Sequence, residues 1–317
     1  MSRLLILLTL PPPVRDQYRN RLAERFPQLT IDMVDHHSKT GPYIGGADAL
    51  LTFGPMMKDE VLRGADKLRW VQALGTGVDN LIDLPSMRSD VVITNIRGIH
   101  GAPVSEAALM MMLGLARDFA GSVRNQDRQI WTRWPVKLLD GKTVGIFGVG
   151  LIAATLAPKC KALGMTVVGF TSAKREVPGF DRMHDRGELM AQAATLDFLV
   201  LLAPYADEIR NLVDARVFAA MKPSSYLINL ARGGIVDEDA LLAALKREEI
   251  AGAALDVFQE EPLPAGHPLW SARNVNITSH LGGFCDVYAE RALPTVEHNM
   301  ACFLRGDFDQ MINVVWR

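Results

Sequence analysis

The segment GKTVGIFGVGLIAATLAPKCKALGMTVVGF, residues 141–170, leaves this chain few folds to choose from. Residues 142–147 are a short apolar run that reads as a buried strand. Gly148-Val149-Gly150 follows at once. From 151 to 163 apolar side chains recur at helical spacing, and Gly164 ends the run. Residues 165–170 are a second apolar strand. Strand, glycine turn, helix and strand within about thirty residues make a βαβ unit. The glycines then have a physical job. Gly148 permits the tight turn, and Gly150 lets a pyrophosphate approach the backbone at a helix N-terminus, where free N–H groups and the helix dipole favour an anion. An ordinary βα turn uses glycine too, but the placement between strand and helix favours a dinucleotide site. The third glycine of the fingerprint is Ala153, which still allows close helix–strand packing.

The end of the second strand carries a departure. A carboxylate there would hold the ribose 2′-hydroxyl of NAD and repel the 2′-phosphate of NADP. This chain has Thr171, Ser172, Ala173, Lys174 and Arg175 instead. Small hydroxyl residues beside two cations favour the phosphate, so NADP is expected over NAD. The bland reading of Lys174 and Arg175 is a solvated loop.

A length of 317 residues accommodates two domains. Hydrophobic content of 49% with 22% charged residues suits a soluble globular protein. A formal net charge of −2 with no basic block asks for neither nucleic acid nor a membrane surface. Cys160, Cys285 and Cys302 lie far apart without metal-ligand spacing, so no metal is expected and they read as free thiols of a reducing compartment. The apolar residues 3–10 run into Pro11-Pro12-Pro13 without a cleavage signal and read as a first strand rather than a leader. A cytoplasmic protein is expected.

Short apolar runs alternate with helix-like stretches along most of the chain. Strands are expected at 4–10, 29–34, 47–53, 68–74 and 91–95, with helices at 14–26 and 58–63. His100-Gly101-Ala102-Pro103 reads as a linker into a helix over 104–119, and 118–131 as a second, more polar helix. Beyond the βαβ unit, strands are expected at 196–202, 225–230, 250–255 and 275–278, and helices at 188–194, 214–221, 237–246 and 287–304. This rhythm predicts an α/β fold with parallel sheets covered on both faces. Ligands of such sheets bind outside the carboxyl ends of the strands. Gly54 and the Gly75-Thr76-Gly77 turn follow strand ends, where exposed backbone N–H groups can hold a small carboxylate. Trp131 reads as a packing or subunit-contact residue and Trp134 as a neighbour of the active cleft.

Four later strand ends deliver polar residues to the edge that carries the phosphate loop. They are Ala203-Pro204, Leu230-Ala231-Arg232, Asp256, and Ser279-His280. Arg232 can grip a carboxylate with two parallel hydrogen bonds. His280 can protonate a carbonyl oxygen during reduction and retrieve the proton during oxidation. Glu261 can bond the second imidazole nitrogen and fix the tautomer. Each alone has a plainer reading, as a surface charge, a structural histidine or a solvated acid. Together, downstream of a dinucleotide loop, they favour redox chemistry on a carbonyl.

The stretches VGIFGVGLIA, INLARGGIVDEDAL, LDVFQEEPLP and ITSHLGG resemble the signatures of the D-isomer-specific 2-hydroxyacid dehydrogenases, in the same order and across essentially the whole chain. The resemblance implies a Rossmann dinucleotide-binding domain over 101–284, inserted into a flavodoxin-like substrate domain made of 1–100 and 285–317. It implies a homodimer built on the cofactor domains and a small 2-oxoacid or 2-hydroxyacid substrate, in the manner of glyoxylate/hydroxypyruvate reductases. Arg232 would bind the substrate carboxylate with Gly75, Thr76 and Gly77, His280 would be the acid/base, and Glu261 its partner. Gly148, Gly150, Thr171, Ser172, Lys174, Arg175, Ala203, Pro204, Leu230, Ala231, Asp256, Gly282 and Gly283 would line the cofactor, with Arg232 and His280 beside it. Asp256 would hold the nicotinamide amide. Leu151 stands where the family usually has arginine, which leaves backbone contacts from Leu151 and Ile152 to the pyrophosphate. Glu261 argues against formate dehydrogenase chemistry, which uses glutamine there. The rival reading is a dinucleotide-sensing corepressor-like binding protein on the same scaffold.

Overall fold

The computed structural model describes residues 2–54, 57–79, 81–172 and 175–316. The chain divides into two units, one of Met1–Ile99 with Asp286–Arg317 and one of His100–Cys285. The first begins with β1 (Arg3–Leu7), α1 (Pro12–Arg25), β2 (Thr30–Val34), α2 (Gly41–Ile44), β3 (Ala49–Thr52), α3 (Asp59–Leu62), β4 (Trp70–Ala73) and β5 (Val92–Thr94). The second holds α4 (Gly101–Ala116), α5 (Phe119–Asp127), β6 (Thr143–Phe147), α6 (Leu151–Ala162), β7 (Thr166–Thr171), β8 (Arg182–Asp185) and α7 (Leu189–Gln192). It continues with β9 (Phe198–Leu201), α8 (Ala215–Ala220), β10 (Tyr226–Asn229), α9 (Glu238–Lys246), β11 (Gly252–Leu255) and β12 (Val275–Ile277). The chain then completes the first unit with α10 (Tyr288–Arg305) and β13 (Val314–Trp316).

The first unit's sheet has the order β13-β5-β4-β3-β1-β2. Its first five strands pair in parallel in the flavodoxin-like order, and β13 adds an antiparallel edge to β5. Both faces are covered, so every residue of β3 and β4 is buried, the polar Thr52 and Gln72 included. Helix α10 is tied to this sheet by polar bonds. The Tyr288 hydroxyl donates to the Leu74 carbonyl, and the buried Asn299 amide donates to Gln72 Oε1 at 3.0 Å. The turn at Gly75 and Thr76 is stitched to the exit of β5. Ile96 N–H donates to the Gly75 carbonyl, and Thr76 Oγ1 to the Ile96 carbonyl, both at 3.1 Å.

The second unit's sheet, β12-β11-β10-β9-β6-β7-β8, is parallel throughout. The chain enters at β6, runs outward to β8, and returns to β9 on the other side of β6. The order therefore reverses between β6 and β9, which makes their carboxyl ends the switch point where α/β sheets bind ligands. Met111, Met112 and Leu115 of α4 pack with Val144, Ile146 and Leu156 in the core beneath the first βαβ unit.

Several expectations need correction. The 100–103 segment is no linker, because α4 already begins at Gly101 and carries Pro103 in its first turn. The helix expected to 131 ends at Asp127. The helix expected over 188–194 is one α-turn, Leu189–Gln192, between two 3₁₀ turns. Strands β8 and β13 were not expected at all.

Candidate active site

The turn after β6 is forced by backbone proximity. Gly148 has φ +97°, and a Cβ on it would lie 2.4 Å from the backbone nitrogen of Ala203. Only glycine lets the β6 and β9 exits touch in this way. Gly150 caps α6, and a Cβ built there would meet nothing within 4 Å. Its flank is open to a group approaching the backbone. The N–H groups of Leu151 and Ile152 follow in the first turn of a twelve-residue helix, where no carbonyl of the helix itself can accept them. Ala153 is fully buried against the sheet.

The Leu151 side chain is 70% exposed. A cation reaches the loop from elsewhere: Arg175, beyond the end of β7, donates from Nη2 to the Val149 carbonyl at 3.0 Å. Thr171 is the buried last residue of β7 and Ser172 is exposed. Lys174 lies outside the described residues. Glycine turn and helix N-terminus together fit a dinucleotide pyrophosphate.

Three neighbouring strand ends position the reactive side chains. Strand β10 ends at Asn229, whose buried amide brackets the next turn. Its Oδ1 accepts from Ala231 N–H at 3.1 Å and its Nδ2 donates to the Arg232 carbonyl at 3.0 Å. Arg232 Nη1 donates to the Ala231 carbonyl at 2.7 Å. At the end of β11, Asp256 is 2% exposed and accepts from Leu281 N–H and Gly282 N–H at 2.8 Å each, and from the Thr278 hydroxyl. Its own carbonyl accepts from His280 N–H at 2.8 Å. Asp256, which the resemblance assigns to the nicotinamide amide, thus also organises the turn that carries the histidine. A Cβ on Gly282 would lie 2.8 Å from Asp256 Oδ2, so this turn too is packed to its backbone. His280 sits at φ +53°, a left-handed conformation that costs a non-glycine residue about 1 kcal/mol or more. The bonds to Asp256 hold it there.

His280 Nδ1 and Glu261 Oε2 are 2.7 Å apart, and Glu261 Oε1 accepts from Phe258 N–H at 3.0 Å. Burial pushes the Glu261 carboxyl up. The His280 bond and charge, the Phe258 N–H and the Arg232 charge outweigh it and hold the group below its ordinary range. An ionised Glu261 leaves His280 with its proton on Nδ1 and its Nε2 turned to other business. The geometry therefore joins His280 to Glu261, with the Arg232 charge acting on Glu261. All three stand on the sheet edge that carries Gly148–Gly150.

Ala203, Pro204, Leu230, Ala231 and Gly283 lie at the same edge, while Gly75, Thr76 and Gly77 belong to the first unit. Trp131 is 94% exposed, and Trp134 Nε1 is buried without a partner among the described residues. Asn229, Glu238 and Gln259 went unnoticed in the sequence. A polar residue closing the apolar run YLIN was the available signal for Asn229.

The family model described as D-isomer specific 2-hydroxyacid dehydrogenase, NAD binding domain, matches residues 109–282. An (S)-sulfolactate dehydrogenase from Chromohalobacter salexigens is 35% identical over 281 residues, 84% of this chain and 89% of that protein. A crystal structure of a D-isomer specific 2-hydroxyacid dehydrogenase family protein from Aeromonas salmonicida has a TM-score of 0.86 at 32% identity, covering 99% of both chains. An NADPH-dependent glyoxylate/hydroxypyruvate reductase from Sinorhizobium meliloti, solved with NADP and sulfate, has a TM-score of 0.82 at 27% identity, covering 99% of this chain and 98% of that one. The chain spans about half the length of the first curated relatives it matches, 52% and 42% of two D-3-phosphoglycerate dehydrogenases. With the family model spanning more than half its length and relatives aligned over most of both chains, this chain belongs to the D-isomer specific 2-hydroxyacid dehydrogenase family.

Proposed function

We propose that this chain is an NAD(P)-dependent oxidoreductase acting on a small 2-oxoacid and the matching D-2-hydroxyacid, of the glyoxylate/hydroxypyruvate reductase kind. The observation that carries the reading is the 2.7 Å bond between His280 Nδ1 and Glu261 Oε2, on the same sheet edge as the glycine turn. The chemistry the dinucleotide supplies when bound is reversible hydride transfer at the nicotinamide ring. The protein supplies the rest. His280 delivers a proton from Nε2 to the carbonyl oxygen during reduction and takes it back during oxidation. Glu261, kept ionised, fixes the ring's orientation and its tautomer. Arg232 clamps the substrate carboxylate and draws electrons from the neighbouring carbonyl. Gly75, Thr76 and Gly77 of the first unit offer backbone N–H groups of the kind that suits a small carboxylate.

Gly148, Gly150, Leu151 and Ile152 hold the pyrophosphate in this reading. Thr171, Ser172, Lys174 and Arg175 meet the adenosine end, and their lack of a carboxylate favours NADP. Ala203, Pro204, Leu230, Ala231, Asp256, Gly282 and Gly283 line the nicotinamide half. The protein is proposed as a homodimer. The cytoplasm is its proposed compartment, on the strength of three unpaired thiols.

The test is nicotinamide absorbance with glyoxylate, hydroxypyruvate, pyruvate and bulkier 2-oxoacids, using NADPH and NADH in turn. Turnover with a small 2-oxoacid and a preference for NADPH are expected. His280→Ala should lower kcat by at least ~10²-fold, the low end for a lost general acid, with cofactor binding intact. Arg232→Ala should chiefly raise KM. Cofactor binding without turnover of any 2-oxoacid would reject the enzyme in favour of a dinucleotide-sensing protein. A tenfold or larger preference for NADH rejects the NADP assignment alone.

A further inference from the structure

Arg232 and Glu261 hang from different strands, β10 and β11, with α9 between them in the chain. Two strand-end loops keep a fixed spacing only if something joins them. Three contacts do so. The first is backbone against backbone: a Cβ on Gly233 would lie 1.8 Å from the Phe258 carbonyl carbon. The second is the Gln259 side chain, whose Nε2 donates to the Val236 carbonyl at 2.7 Å. The third is Glu238, whose Oε1 accepts from Gln259 N–H at 2.8 Å. Gln259 is therefore held at both its main chain and its side chain by the limb that carries Arg232.

Glu238 opens α9 and is 9% exposed. A carboxyl there is costly unless its oxygens are bonded. Burial pushes it up in pKa, the Gln259 N–H and His267 pull the other way, and the charges of Asp239 and Glu261 add to the push. Its Oε2 faces His267 Nε2 at 3.5 Å. His267 Nδ1 accepts from Leu269 N–H at 3.3 Å, so a neutral His267 ring carries its proton on the nitrogen turned toward Glu238. The carboxylate thus has His267 facing it on one side while it holds Gln259 on the other. Two residues on from Gln259 stands Glu261, one oxygen on Phe258 N–H and the other on His280.

We infer that Glu238 is a positioning residue: through Gln259 it locks the 258–261 turn to the Arg232 limb, so that Glu261 meets His280 at bonding distance while Arg232 stays in register. The inference rests on the acid–base reading of His280. A helix-dipole role, the ordinary explanation of an acid at this place, would leave the catalytic turn untouched.

The test compares Glu238→Ala with Glu238→Gln, which keeps an oxygen for Gln259 N–H. Glu238→Ala should lower kcat about tenfold, a fraction of the ~10²-fold that an ångström of misplacement can cost, with KM for the cofactor unchanged. Glu238→Gln should recover kcat to within about threefold of the parent. A second readout needs no turnover. The downfield imidazole N–H proton resonance of His280, assigned by its loss in His280→Asn, should broaden away in Glu238→Ala and persist in Glu238→Gln. A folded Glu238→Ala protein with parental kcat and an intact resonance overturns the inference. If that variant fails to fold, Glu238→Met, which fills the same space without an oxygen for Gln259 N–H, decides: a kcat lowered about threefold or more supports the lock, and an unchanged kcat overturns it. Parental turnover in His280→Asn would instead overturn the acid–base reading, whatever Glu238 does.

Discussion

His100 carries its imidazole inward with 9% exposure, and burial pulls its pKa down to about 4. The folded protein therefore holds the ring neutral, while the unfolded chain protonates it near 6.5. The stability this contributes is fully present above pH 6.5 and is lost as the pH falls through about 4. The whole effect is on the order of 3 kcal/mol, at about 1.4 kcal/mol per unit of displacement. His100→Gln removes the titration. Chemical unfolding at neutral pH and at mildly acid pH should show the variant losing on the order of 2 kcal/mol less than the parent on acidification. Equal losses in the two proteins would assign the acid sensitivity elsewhere. Nothing in the sequence around His100 announces this burial. The ring packs over the backbone of Gly283, where a Cβ would sit 3.2 Å from its Cδ2, and that neighbour is far away in the chain. The same distinction runs through the site. Arg232 and His280 stood out because each follows an apolar strand and precedes glycines within two residues, and Glu261 because it is the acid directly before Pro262. Glu238 and Gln259 did not, because their meaning is a bond across 21 residues of chain. The bonds by which Asp256 organises the turn of His280 were hidden for the same reason.

Among elements, the two glycine-bearing turns are built on opposite grounds, and substitution separates them. Gly233 touches the Phe258 and Gln259 backbone, which cannot give way as a side chain can. Gly233→Ala should destabilise by about 3 kcal/mol, the upper end of overpacking costs, as read from denaturant midpoints. Gly150 has open space beside it and φ −114°, which alanine adopts freely. Gly150→Ala should leave the midpoint unchanged and raise the cofactor Kd about tenfold or more, because the methyl stands where a pyrophosphate approaches. Loss of stability in Gly150→Ala, or none in Gly233→Ala, contradicts this division. The central strands were legible as apolar runs because both their faces are covered, as in β9, β10 and β11. The edges were not. Strand β8, RMHD, has one neighbour and polar ends left exposed, so no apolar run marks it. Strand β13 is three residues long and pairs only with β5. Such strands exist by pairing, which a local pattern does not record.

For the whole molecule, alternation of apolar and polar runs was enough to give parallel α/β sheets. Alternation alone did not say that the last helix belongs with the first hundred residues; the resemblance implied it, and the bonds from Tyr288 and Asn299 of α10 to Leu74 and Gln72 supply its physical basis. What periodicity also left unexplained is an apolar surface. Eight of the fourteen large apolar side chains exposed among the described residues fall between Met110 and Leu138. They include Met110 and Leu113 on α4, Phe119 and Val123 on α5, and Trp131 and Leu138 beyond it. A concavity beside them is lined by Arg117, Phe119, Ser122, Arg133, Trp134 and Val136. A monomer seldom leaves so many large apolar side chains of one stretch in water, and a lasting homodimer interface of roughly 2,000 Å² or more needs such side chains. The proposed dimer predicts that the parent protein sediments as two copies at about micromolar concentration, the regime of a specific interface. Phe119→Glu combined with Trp131→Glu places two charges on exposed positions, where folding tolerates them and association does not. The double variant should sediment as one copy with its unfolding midpoint nearly kept. A monomeric parent, or a double variant that still pairs at the same concentration, would leave this apolar stretch to another partner.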